Sequence, residues 1–208
     1  MPAADHTPAG QPATDHRRSL ELTDPRALRA VAHPLRLQLI ALLRDQGPLT
    51  ATQAGQRLDH SAQSCWFHLR QLAKYGLVEE AGGGRGRERP WRATAMSTTL
   101  PRVATTPELA AATELFMTVL AERYFEDLMR WLSARVGEPQ EWQEAAVFGD
   151  SLLYVTAEEL TAIRHELRAL VDRYIERVPN RALRPPGARP VTFLHFAFPQ
   201  QDPRQQDS

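Results

Sequence analysis

The sequence predicts a mainly α fold with a small β component, and three observations predict it. Four short segments between residues 25 and 75 carry helical apolar spacing together with their own start or stop signals. Two β-prone runs then flank a glycine-rich tip within residues 77–94. From residue 107 to about 136 one helical period runs unbroken.

Each element follows from particular residues. Residues 1–18 are rich in Pro, Ala, Asp, His and Thr without apolar period, and are expected to be a disordered tail; residues 201–208 read the same way. Thr23-Asp24-Pro25 supplies a cap and a first-turn proline for a short helix to about Val31. Pro34 opens a second helix, in which Leu35, Leu39, Leu42 and Leu43 share a face widened by Leu37 and Ile40. Gly47-Pro48 stops it, and Leu49-Thr50 forms a short extended bridge. Thr50 caps a third helix over residues 51–58. After a tight turn at Asp59-His60, Ser61 caps a fourth helix that Gly76 closes. Residues 77–80 are a strand, 82–87 a loose tip, and 90–94 the returning strand.

Charge separates the two halves of the 208-residue chain, whose formal net charge is zero. Residues 17–95 hold 13 Lys and Arg against 7 Asp and Glu, whereas residues 96–208 hold 12 against 16. A basic first half joined to a mildly acidic second half suits a polyanion binder attached to another module. A 42% hydrophobic fraction, one cysteine, no signal-like opening and no long apolar run lead to the expectation of a cytoplasmic protein with no membrane partner.

The fourth helix carries the chemistry. Cys65, Leu69 and Leu72 repeat at helical spacing and face the core, which turns Ala62, Gln63, Trp66, Phe67 and Arg70 outward. A Trp-Phe pair facing solvent leaves apolar area in water unless it covers something. Thymine methyls and sugar edges would suit the rings, and Gln63 and Arg70 could reach bases or phosphates. Arg85, Arg87, Arg89 and Arg92 line the hairpin, where they would track a phosphate backbone or the minor groove. Helices, short turn, outward helix and basic hairpin make a winged helix-turn-helix.

At these residues a family resemblance emerges. Ala32-His33-Pro34-Leu35-Arg36-Leu37 with Ile40-Ala41-Leu42-Leu43, and residues 61–78 from Ser61 to Val78, resemble the ArsR family of winged-helix repressors. The resemblance covers about residues 22–95. It implies that Ser61, Gln63, Ser64, Trp66, Phe67 and Arg70 face DNA, and it places a histidine commonly found in the family at His68. Lys74, Arg85, Arg87 and Arg89 complete the expected contact set. Many ArsR members sense metals through a cysteine pair on the third helix. Here residues 51–58 contain neither cysteine nor histidine, so no metal and no cofactor are expected.

Other chemistry is excluded on pattern. Cys65 and His68 are spaced to share a metal, but no second pair lies within reach, so a packed thiol and a capped or DNA-facing histidine are expected. The glycines at 82–84 and 86 lack the Lys and Ser/Thr of a phosphate-binding loop. No nucleophile elbow organises the serines, histidines and aspartates, and the chain is not expected to be an enzyme.

In the second half, Leu109, Phe116, Val119, Leu120, Leu128, Trp131 and Leu132 stripe the long helix, which would pair two copies into a homodimer or, alternatively, serve as the core helix of a monomer. A shorter helix spans about residues 138–147. Residues 151–155 and 191–198 read as strands around a helix that begins with the capping box Thr156-Ala157-Glu158-Glu159. That order predicts a small α/β C-terminal module. Its aromatics (Trp142, Phe148, Tyr154, Phe193, Phe196, Phe198) would form its core or, alternatively, line a pocket for a small-molecule effector.

The expected organisation is a tail at 1–18, a winged helix-turn-helix at 19–96, a dimerisation and effector domain at 97–200, and a tail at 201–208. The expected function is sequence-specific binding of double-stranded DNA by a homodimer that regulates transcription, with residues 61–75 in the major groove and 77–94 on the backbone. Two alternatives are a winged-helix protein-interaction module, and an enzyme in the second half built near Tyr154, His165 and His195.

Overall fold

The computed structural model of the chain describes residues 17–84, 88–178 and 180–200. Two compact units divide between Phe116 and Met117, inside a helix. The expected boundary at 96/97 falls short of this point because Leu109, Ala112 and Phe116 are buried in the first unit.

The first unit begins with a strand, β1 (Arg17–Glu21), followed by α1 (Pro25–Val31), α2 (Pro34–Gln46), α3 (Ala51–Leu58) and α4 (Ala62–Lys74). The expected caps are in place. Asp24 accepts from the Arg26 N–H at 2.8 Å, and Ser61 accepts from the Ser64 N–H at 3.1 Å. Thr50 and Gln53 exchange bonds as a reciprocal capping box, at 2.9 and 3.2 Å. The hairpin is β2 (Val78–Glu80) against β3 (Trp91–Ala93), antiparallel. Leu49 joins it as a third edge, exchanging both backbone bonds with Trp91 at 2.8 and 2.9 Å.

Two strands escaped the sequence reading. β1 pairs in parallel with β4 (Ala95–Thr99), and Arg44 of α2 holds β4 by bonds to the Ala95 carbonyl and the Thr98 hydroxyl, at 2.9 and 2.7 Å. The expected tail at 1–18 therefore yields its last two residues to β1; residues 1–16 and the expected tail at 201–208 lie outside the described residues. The core collects Leu28 and Val31 of α1, Leu39 and Leu43 of α2, Ala54 of α3, and Cys65, Leu69 and Leu72 of α4. Each fully buried leucine contributes about 1.5–3 kcal/mol.

The second unit takes in the distal part of α5 (Pro107–Ala134), then α6 (Gln140–Ala145) and α7 (Ala157–Ile175). Thr156 and Glu159 form the expected capping box on α7. Arg189 grips Glu138 through both carboxylate oxygens, at 2.7 and 3.2 Å, and lies over the Trp142 ring. The expected α/β module is not formed. Residues 151–155 and 191–198 are not strands: none of them makes a backbone–backbone hydrogen bond to a described residue. A β-prone run becomes a strand only when another edge takes up its N–H and C=O groups. The aromatics expected there as a core or pocket lining form no enclosed core; Tyr154 is 95% exposed. No helix among the described residues is long and apolar enough to cross a membrane.

The turn between α3 and α4 depends on one glycine. A Cβ on Gly55 would lie 2.4 Å from the His60 carbonyl oxygen and 3.3 Å from the Ala62 nitrogen, both backbone atoms. Gly55→Ala is expected to cost about 1–3 kcal/mol by overpacking. Urea unfolding checks this, and an unchanged midpoint would contradict it.

Candidate nucleic-acid interface

Helix α4 is short, capped and two-sided. Its first turn carries no acidic residue, and its sequence has none at all, while Arg70 and Lys74 supply positive charge. With Cys65, Leu69 and Leu72 buried, the residues between them are forced outward. Trp66 and Phe67 are 39% and 52% exposed, large values for such rings in a packed domain. The Arg70 guanidinium lies 5.4 Å from the centre of the Trp66 ring, so the cation rests on the ring face. Gln63 and Ser61 stand exposed at the N-terminal end, and Ser64 is half-buried behind them. Lys74, at the far end, is exposed, with its ammonium 5.6 Å from the Tyr75 ring centre.

Residues 31–81, from the end of α1 through β2, match the family model of a helix-turn-helix domain. No curated protein matches the chain. A helix-turn-helix is a DNA-binding element, and the match supports a DNA-binding regulator.

Not every expected contact residue belongs to that surface. His68 is turned back toward α2: its ring stands 4.5 Å from that of His33, and its Nδ1 accepts from Arg36 Nε at 3.2 Å. Arg36 also donates to the Ala30 carbonyl, which joins α1, α2 and α4 through one guanidinium. His68 therefore positions the helix instead of presenting a free ring. Spacing alone could not show this, because the partner residues sit on other helices.

The hairpin cations are also engaged. Arg89 pairs with Glu80 at 2.7 Å and Arg92 with Glu79 at 2.8 Å. These exposed pairs are each worth at most about 1 kcal/mol. They lower the positive charge of the hairpin. Arg85 and Arg87 lie outside the described residues. The sequence reading used His33 and Arg36 only for the family resemblance and passed over Gly55, although these groups hold α4 in place.

Cys65 is fully buried, and burial pushes its thiol up from the usual range. The histidine pair is held in the neutral form. Burial lowers both His33 and His68 below their ordinary value of 6.5, and nearby Arg36 and His60 push the same way. In each ring Nδ1 is an acceptor, toward the Leu35 N–H for His33 and toward Arg36 for His68. A proton added there would set donor against donor. Since the folded values are lowered, the unfolded chain takes up protons first as pH falls. The stability from this pair is complete above 6.5 and is lost as pH drops through the folded values. Urea midpoints should therefore fall between pH 7.5 and 5.5, and the fall should be smaller with His33→Gln and His68→Gln combined. Equal midpoints at the two pH values would contradict the arrangement.

Proposed function

We propose that this chain is an ArsR-like, winged-helix transcriptional regulator that binds duplex DNA sequence-specifically as a dimer. One observation carries the reading: the acid-free outer face of α4, with Gln63, Trp66, Phe67 and Arg70 presented together over a buried core. A helix of this width enters the major groove, where Gln63 and Arg70 would reach base edges or phosphates and the rings would cover thymine methyls. Ser61, Ser64 and Lys74 flank this set. The β2–β3 hairpin would act as the wing, with Arg89 exchanging Glu80 for phosphate as it docks. Arg85 and Arg87 belong to the same wing by sequence. The second unit would bring two copies together on a two-fold symmetric site. The reading includes no catalytic step, metal or cofactor.

A protein-interaction module is the second reading, favoured by the hairpin ion pairs and the exposed rings. Salt separates the two. Each neutralised phosphate steepens the fall of log K with log salt by about 0.9. DNA captured by the full chain in its native cell provides the target for titration. Arg70→Ala should weaken binding by about 1–3 kcal/mol, and Trp66→Ala should change sequence preference. Fluorescence anisotropy with the recovered DNA checks both. Equal affinity for the two variants and the parent, or binding indifferent to salt, would overturn the assignment.

A further inference from the structure

In the second unit, residues 117–208, the described residues form no interior. Among its described residues none is buried; the last buried side chain along α5 is Phe116, which belongs to the first unit. A unit of this size with no buried side chain has nothing to offset the entropy of ordering its backbone. Yet its apolar content is high and sits in places that call for a partner.

Phe125 and Met129 of α5 are 63% and 46% exposed. The two extended segments are apolar along their length, as in Leu152-Leu153-Tyr154-Val155 and Val191-Thr192-Phe193-Leu194, and their backbones are unpaired with described residues. One of them rests lightly on its own helix. Leu194 and Phe196, with Ala121, Tyr124, Phe125 and Leu128, border an open recess of about 290 Å³ with nearly all-apolar walls.

The exposed apolar area is the size of a protein interface. Phe125, Phe148, Tyr154, Phe193, Phe196 and Phe198 are each more than half exposed. At about 200 Å² per aromatic side chain, they leave roughly 800 Å² of apolar surface per chain. That is about what each partner contributes to a stable protein interface. The chain carries both halves of the match, apolar extended segments and apolar helix faces, and a two-fold axis sets each against the other.

We propose that the second unit forms its core only between two copies of this chain. Residues 151–155 and 191–198 of one copy pack against α5 and α7 of its partner, so that folding of this unit and dimerisation are one event. This deepens the dimeric reading above and rests on it for the choice of a second copy, whereas DNA contact by α4 does not depend on it.

The test uses the full chain without DNA. Sedimentation equilibrium gives the oligomeric state, and hydrogen exchange gives amide protection segment by segment. The expected result is a dimer in which amides of both extended segments exchange on the order of 100-fold slower than in an unstructured chain. With Phe193→Asp and Phe196→Asp combined, the protein should become monomeric. Protection should then be lost in both segments and in α7, but kept in α1–α4. A dimer whose extended segments exchange freely would overturn this proposal while leaving the dimeric regulator intact. A monomer would overturn both. A monomer whose segments gain protection only on adding anilinonaphthalene sulfonate dye would overturn it in favour of a small apolar ligand.

Discussion

Burial of one face of α4 is the constraint on which the rest of the first unit depends. Cys65, Leu69 and Leu72 are wholly inaccessible, and the two leucines alone contribute about 3–6 kcal/mol, a large part of the 5–15 kcal/mol typical of a domain. Rotating α4 to hide Trp66 and Phe67 would expose these three side chains. The close approach at Gly55 fixes where the helix begins, and the Arg36 clasp on His68 fixes its side. The exposed rings and Arg70 are thus a consequence of core packing, held out by groups that never reach the surface they create.

Much of this was legible because the signals are local. Asp24, Thr50, Ser61 and Thr156 each cap a helix within three residues of themselves, and the glycines after α2 and α4 take the positive φ that ends a helix. The outward face of α4 followed from its period. What the sequence hid was long-range. β1 exists because β4 pairs with it across nearly eighty residues, and the polar run Arg17–Glu21 has no strand pattern of its own. His68 turns inward because α2 offers Arg36 and His33. Arg89 and Arg92 are paired because hairpin register brings Glu80 and Glu79 beside them.

The second unit shows the opposite case, in which a pattern was read correctly as apolar and wrongly as strand. Residues 151–155 and 191–198 demand burial, and a sheet is the commonest way for one chain to provide it. Periodicity records that demand but not which surface meets it. With the backbone of both segments unpaired among the described residues and most of their side chains exposed, the pattern fits a partner surface as well as it fits a sheet.

In the proposed function α4 enters the major groove. Methylation interference on the DNA recovered with the full chain tests it most directly, because guanine N7 faces the major groove and adenine N3 the minor groove. The expected result is that N7 methylation blocks binding at two clusters about one helical turn apart, one for each copy of α4. Binding indifferent to N7 methylation, or blocked only by methylation at adenine N3, would contradict it.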